Sequence, residues 1–230
     1  SLDVEDAAAL AYARDYDRLL TDGTVNVVDH EDALSIIVFT PSLIFEKYAV
    51  NVSSGEDPAT VATPGDTIRY TLRIENAGDS PIDDFDIVDE LDSLNATPMF
   101  QAGTLNITQP LLAGVDDSNT DANGGPAGTG LLDFRNLSIG GLGDVLSIEF
   151  EIQLAPAIEN GSIVLNQSQA TFLGYPVAVS DDPNINGAAD PEVAGDEDPT
   201  AILIQSAPAF IVEKISSYLD GDPNVLLAGE

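Results

Sequence analysis

The stretch Thr67-Ile-Arg-Tyr-Thr-Leu-Arg-Ile-Glu75 alternates without a break: Ile68, Tyr70, Leu72 and Ile74 share one side, and Thr, Arg and Glu take the other. Period two is the pattern of a strand with one face buried and one face in water. Asn76-Ala-Gly-Asp-Ser-Pro81 follows, a cluster of turn formers that ends the strand. Ser147-Ile-Glu-Phe-Glu-Ile-Gln-Leu154 alternates in the same way, with Ile148, Phe150, Ile152 and Leu154 inward. Shorter β-branched runs at residues 35–39, 162–165 and 201–204 are separated by Gly, Pro, Asn and Asp clusters. Short strands joined by such turns predict an all-β chain folded as an immunoglobulin-like antiparallel β-sandwich. Only residues 7–20, rich in Ala, Leu, Arg and Tyr, carry helix propensity.

The chain has 230 residues, with 40 acidic side chains against 7 basic ones and a net charge of −33. Hydrophobic residues make up 43%, too many for a disordered acidic tail. That charge excludes nucleic acid as a partner, because phosphate contacts need clusters of Lys and Arg. It also argues against anionic membrane surfaces, and no apolar run reaches the length of a membrane span. There is no Cys, hence no disulfide framework or thiolate metal site, and one histidine, His30, which reads as a solvated loop residue. No nucleophile–base pair can be assembled, so the chain is not expected to be an enzyme. The start, Ser1-Leu2-Asp3-Val4-Glu5, has no basic-then-apolar signal pattern; either a signal was removed or the chain is a segment of something longer.

A repeat runs through the sequence. Pro41-Ser-Leu-Ile-Phe-Glu-Lys47 returns as Pro208-Ala-Phe-Ile-Val-Glu-Lys214, with the lysines 167 residues apart. Gly55-Glu-Asp-Pro58 answers to Gly221-Asp-Pro223, and Thr63-Pro-Gly-Asp66 to Leu227-Ala-Gly-Glu230. Upstream, Val164-Leu-Asn-Gln-Ser-Gln-Ala-Thr-Phe172 lies on Val4-Glu-Asp-Ala-Ala-Ala-Leu-Ala-Tyr12, placing Asn166 over Asp6. The expected organisation is tandem: 1–40 the closing part of one repeat, 41–207 a whole repeat, and 208–230 the opening strand of a third. By this alignment residues 7–12 form a strand, against their propensity. An opening strand around Phe210 to Ile215 without a partner in its own repeat would pair with a neighbouring chain or repeat, head to tail.

These motifs carry a resemblance. Pro41–Lys47, Pro64-Gly-Asp-Thr-Ile-Arg-Tyr70, Asn76–Pro81, Ile87-Val-Asp-Glu-Leu91 and Val164–Ala170 occur in an order that resembles the conserved β-sandwich repeats of large bacterial and archaeal surface proteins, related to isopeptide-forming fimbrial domains. The chain departs from that pattern in a glycine-rich insertion at 113–130, an acidic one at 180–199, and Ser168 in place of a small apolar residue. The resemblance implies a cell-surface, extracellular location and a structural repeat of a filament, fimbria-like fibre or stalk. Its partners would be copies of itself or adjacent repeats, head to tail. The alternative is an adhesin module recognising carbohydrate or a cell-surface partner, which should show exposed aromatic residues; Phe100, Phe134 and Tyr175 are scattered.

The chain has two lysines, Lys47 and Lys214, at one and the same repeat position. The resemblance implies a reason: an opening-strand Lys joined to a closing-strand Asn in an isopeptide bond. The acceptor would be Asn166 and the assisting acid Asp89, with Asp86 or Glu149 as alternatives. Lys214 and Asp6 would be the corresponding crosslink positions between repeats. The competing reading is an ion pair of Lys47 with Glu46 or Asp89, and an ordinary strand residue or glycan site at Asn166.

Two further features bear on surface chemistry. No cofactor is demanded, but calcium takes six to eight oxygens, and Asp181, Asp182, Asn184, Asn186 and Asp190 are candidate ligands; so are residues 116–124, which do not fit an EF-hand loop. A solvated loop that adds negative charge is the alternative. Six Asn-x-Ser/Thr sequons, at Asn51, Asn95, Asn106, Asn136, Asn160 and Asn166, exceed the roughly two expected by chance from 13 Asn and 30 Ser plus Thr. They are candidate glycosylation sites, or turn and strand-end residues.

Overall fold

The computed structural model describes residues 2–4, 10–16, 31–37, 42–190, 193, 195–206 and 213–214, and no helix occurs among them. Strands β1 (Leu2–Val4), β2 (Leu10–Tyr16) and β3 (Glu31–Ile37) form an antiparallel sheet in the order β1-β2-β3. Tyr12 lies opposite Asp3 on one side and Ser35 on the other. Residues 10–12 are therefore strand, as the repeat alignment requires, because ladder pairing outweighs a weak helical preference. His30 and Asp6 lie outside the described residues.

Eleven strands follow: β4 (Leu43–Asn51), β5 (Val61–Ala62), β6 (Thr67–Asn76), β7 (Ile82–Glu90), β8 (Asn106–Ile107), β9 (Leu131–Ile139), β10 (Val145–Gln153), β11 (Ile163–Asn166), β12 (Gln169–Phe172), β13 (Tyr175–Val179) and β14 (Thr200–Ile204). They build a four-stranded sheet β4-β6-β10-β8, a second four-stranded sheet β13-β12-β7-β9, and a three-stranded sheet β11-β14-β5. Every pairing among them is antiparallel except β14 with β5. The inward residues of all three sheets join in one core.

Strand parity sets that core. Ile68, Tyr70, Leu72 and Ile74 on β6 are fully buried, and Ile148, Phe150 and Ile152 on β10 lie beside them. Each such side chain is worth about 1.5–3 kcal/mol of transfer free energy, which sets the register: a slip by one residue would turn the face to water. The outward partners form ion pairs, across strands and, for Arg73 with Glu75, along β6. Arg69 meets Glu151 at 2.6 Å, and Arg73 meets Glu46 at 3.0 Å and Glu75 at 2.6 Å. The entry to β6 is a tight turn at Thr63-Pro-Gly-Asp66, with the Asp66 amide donating to the Thr63 carbonyl at 3.1 Å. Gly65 has φ +89°, the left-handed value that the third residue of a Pro-Gly turn must take.

Candidate functional site: a buried lysine, carboxylate and amide

Lys47 sits in the middle of β4 with the parity of Phe45 and Ala49, so its side chain points into the core, where it is 0% exposed. Its backbone is held on both edges: β6 pairs on one side, and on the other the Lys47 amide donates to the Asp181 carbonyl at 2.7 Å. Asp89 has the parity of Phe85 and Ile87 on β7 and is equally buried. Asn166 ends β11 on the same side as Val164, 2% exposed, and its carbonyl accepts from the Thr200 hydroxyl at 2.9 Å. Three strands, one from each sheet, thus deliver an amine, a carboxylate and a carboxamide to one point in the core.

Their geometry converges on one oxygen. Lys47 Nζ lies 2.5 Å from Asp89 Oδ2. Asn166 Nδ2 approaches the same oxygen at 3.5 Å. The Ser168 hydroxyl donates to it at 2.8 Å and accepts from Lys47 Nζ at 3.1 Å. Asp89 Oδ1 is buried with no hydrogen-bond partner among the described residues. Aromatic rings wall the amine: Nζ lies 4.9 Å from the centroid of Tyr70 and 5.7 Å from that of Phe150, which stack on each other at 5.3 Å. Phe100 meets Tyr70 edge-on at 6.3 Å.

The electrostatics follow from burial. Desolvation lowers the Lys47 pKa, and the Asp89 charge and hydrogen bond pull it back up. Burial, and then the Asp89 charge, push the Tyr70 phenol well above its ordinary range. A buried ion pair is a poor source of stability, since the desolvation of two charges offsets their attraction. What the arrangement can do is move a proton. An amine with a lowered pKa beside a carboxylate can give up its proton and present a lone pair to the neighbouring carboxamide, in a site without competing water.

The other expected positions are distributed as follows. Asp86 faces outward, half-buried, accepting from the Asn136 amide at 3.3 Å, and Glu149 has the outward parity of β10; neither joins the cluster. Strand parity separates Asp89 from Asp86, because three residues along a strand put side chains on opposite faces. Lys214 is exposed, and Asp6 lies outside the described residues. Ser168, which the sequence marks only as a departure from a small apolar residue, is fully buried and bonded to both Lys47 and Asp89. Its one sequence signal is its place two residues after Asn166.

The calcium candidates are placed as follows. Among the described residues no three His, Cys, Asp or Glu side chains stand where they could hold a metal ion. Several polar groups of the acidic loop bond within the loop, although Asp181 Oδ2 is buried with no hydrogen-bond partner among the described residues. Asp182 caps the Asn184 amide at 3.0 Å, Asn186 donates to Asp198 at 2.9 Å, and Asp196 accepts from the Asp190 amide at 3.0 Å. Asp181 is buried and accepts from the Asp198 amide at 2.9 Å. The 116–124 segment is likewise occupied, with Asp116 paired to Arg135 at 3.3 Å.

The sequons divide by burial. Asn106, Asn136 and Asn160 are exposed, and Asn95 is half-buried with its amide bonded to Asp92 and to the Leu165 carbonyl, both at 2.9 Å. Asn51 is 1% exposed, donating to Asp66 at 2.9 Å and to the Val61 carbonyl at 3.3 Å. The folded sandwich therefore has no room for a glycan at Asn51, nor at Asn166 within the core.

Fold and site together define an all-β sandwich protein with a buried lysine–carboxylate–amide cluster. No family model and no curated protein matches the chain. Among solved structures it is similar to domains D2 and D3 of the major pilin SpaD from Corynebacterium diphtheriae, 17% identical over 60% of this chain and 50% of that one, with a TM-score of 0.35. It is also similar to the collagen-binding domain from a Staphylococcus aureus adhesin, 14% identical over 71% of this chain and 99% of that one, with a TM-score of 0.35. The aligned part thus spans half the length of the SpaD chain.

Proposed function

We propose that this chain is a structural repeat of an extracellular, surface-attached fibre or stalk, locked by an intramolecular isopeptide bond between Lys47 and Asn166. The observation that carries this reading is the convergence of Lys47 and Asn166 on one buried oxygen of Asp89. The reaction balances within the site. Asp89 takes a proton from the Lys47 ammonium, and the freed amine attacks Asn166 Cγ. The Nζ–Cγ bond forms, the Cγ–Nδ2 bond breaks, the proton held by Asp89 goes to the departing nitrogen, which leaves as ammonia, and Asp89 takes the second proton that Nζ sheds on becoming an amide. Nothing is oxidised or reduced. Asp89 Oδ1, with no hydrogen-bond partner among the described residues, can carry the transferred proton and donate it toward the carboxamide while Oδ2 keeps accepting from the amine.

The bond would tie β4 to β11 across the core. Closing so long a loop restricts the unfolded chain as a disulfide does, in a protein without cysteine. That suits a repeat under tension better than a diffusible enzyme. Head-to-tail assembly of such repeats is part of this reading, with Lys214 as the equivalent amine of the next unit. An adhesin module is less well supported, because Phe100 and Phe134 are buried and Tyr175 stands exposed without them. No described helix is long and apolar enough to cross a membrane.

Intact-mass spectrometry of the purified chain tests the proposal. The expected mass is the calculated value less one ammonia, and peptide mapping should recover a branched peptide joining Lys47 to Asn166. A Lys47→Ala variant should show its full calculated mass. A wild-type chain at full mass would overturn the bond.

A further inference from the structure

The Lys47–Asn166 reaction makes a demand that the amine and the carboxylate alone do not meet. Once its proton has moved, the neutral amine must direct a single lone pair at Asn166 Cγ. One hydrogen bond to Asp89 fixes the amine about its last carbon–nitrogen bond but leaves the lone pair either of the two remaining tetrahedral positions. Near-attack alignment of this kind accounts for large rate factors, and a small misplacement costs as much as a hundredfold. A second fixed acceptor would claim one of those positions for a hydrogen and leave the other to the lone pair.

Ser168 supplies one. Its Oγ accepts from Lys47 Nζ at 3.1 Å while its own hydrogen goes to Asp89 Oδ2 at 2.8 Å. Two amine hydrogens are then committed, one to Asp89 and one to Ser168, leaving the lone pair to a remaining tetrahedral direction. The same hydroxyl pins the carboxylate: Oδ2 collects Lys47, Ser168 and Asn166, while Oδ1 has no partner. The polarity of this chain of bonds is fixed, since a hydroxyl whose hydrogen is given to a carboxylate can offer the amine only an acceptor.

The serine itself is built in. It lies between β11 and β12, fully buried, with its amide donating to the Ser180 hydroxyl at 2.9 Å and its carbonyl accepting from the Ser180 amide at 2.8 Å. Gln169 beside it pairs with Val88, the neighbour of Asp89. The backbone that carries Ser168 is thus laddered to the strand that carries Asp89. Two residues earlier the same segment supplies Asn166. One short segment delivers both the electrophile and the group that orients the nucleophile.

We propose that Ser168 is a positioning residue for bond formation: its hydroxyl holds the Lys47 amine and the Asp89 carboxylate in the one orientation that aims the amine at Asn166. This rests on the isopeptide reading above and adds to it a residue that never touches the reacting carbon.

The test is the rate at which newly made full-length chain loses ammonia. The chain is synthesised in a cell-free system, quenched with acid at intervals, and read by intact mass. The variants are Ser168→Ala, Ser168→Thr and Ser168→Val. Thr and Val have the same shape and differ only in the hydroxyl. The expected result is conversion slowed about ten- to a hundredfold in Ala and Val, and within about threefold of wild type in Thr. Melting of each variant in a Lys47→Ala background, where no bond can form, separates rate from fold. Ser168→Val converting as fast as Ser168→Thr would overturn the proposal. So would failure of both hydroxyl-less variants to fold in that background, which makes the hydroxyl merely structural. A wild-type chain that never loses ammonia overturns the bond itself rather than the serine's part in it.

Discussion

Replacing Asp89 with Asn keeps the size of the side chain and removes the group that accepts the lysine proton. Two losses follow, and their sizes can be worked separately. The first is the proposed covalent bond, because a carboxamide cannot take the proton from the amine. Lys47 and Asn166 enclose a loop of 119 residues, and the loop-entropy relation gives about 5 kcal/mol for a crosslink of that span. The second is the ion pair. Lys47 stays buried among Tyr70 and Phe150 with no carboxylate, and breaking one side of a buried pair costs about 3–5 kcal/mol while the other stays charged. At roughly 2–4 °C per kcal/mol for a cooperative unit of this size, loss of the bond alone lowers Tm by about 10–20 °C. The double variant Lys47→Met with Asp89→Asn loses the bond but removes the stranded charge. It should therefore melt above Asp89→Asn and below wild type.

The same substitution has a pH signature of known sign. Burial lowers the folded pKa of Lys47 from 10.5, and the attraction of Asp89 that opposes this is gone in Asp89→Asn. Between the lowered folded value and 10.5 the unfolded chain binds more protons than the folded one, so stability rises with pH across that window. Asp89→Asn should accordingly gain stability on going from neutral pH toward pH 10.5, whereas in a wild type crosslinked as proposed the amine is consumed in an amide and contributes no such rise. Calorimetric or circular-dichroism melting across that pH range, with intact mass on the same samples, reads all of this. The reasoning fails if Asp89→Asn loses ammonia and melts with wild type. It also fails if the double variant melts no higher than the single one at neutral pH.

Three other outcomes are expected. Asn76 is fully buried, donating to the Ser80 and Gly140 carbonyls at 2.8 and 2.7 Å and accepting from the Gly78 amide at 2.9 Å. Asn76→Ala strands these groups and should lower stability by about 2–4 kcal/mol in urea titration without altering the intact-mass shift. Burial works against the Asp66 carboxylate, but the Thr63 amide and the Asn51 side chain hold its pKa below 3.8. Its contribution is present above 3.8 and lost as pH falls through the lower folded value. The stability gap between wild type and Asp66→Asn should therefore stay constant at neutral pH and close only in strong acid. Peptide mapping of material from a glycosylating host should find glycan at Asn106, Asn136 or Asn160 and none at Asn51, whose amide is buried and bonded.

Much of the architecture is contained in the sequence, because strand parity is a local property. Ile68, Tyr70, Leu72 and Ile74 declare a buried face at any distance from their partners, and so do Ile148, Phe150 and Ile152. Parity even extends to the polar cluster. Lys47 shares its face with Phe45 and Ala49, Asp89 with Phe85 and Ile87, and Asn166 with Val164. At residues 10–12, pairing with β1 and β3 outweighs intrinsic helix preference.

Only the tertiary structure decides which of these inward groups meet, since lateral order among strands far apart in the chain depends on how whole sheets stack. Lys47, Asp89 and Asn166 belong to three sheets, and nothing local brings their side chains to one oxygen. Ser168 lies between strands, where parity has no meaning, and its burial follows from the ladder to Ser180 and the neighbouring pair of Gln169 with Val88. Asn51 reads as a surface sequon until β5 and the Asp66 turn close over it. That carboxylates of the acidic loop cap the loop's own amides is likewise visible only in the packed chain. Composition states which groups are present; what each is bonded to depends on distances that only the packed sandwich sets.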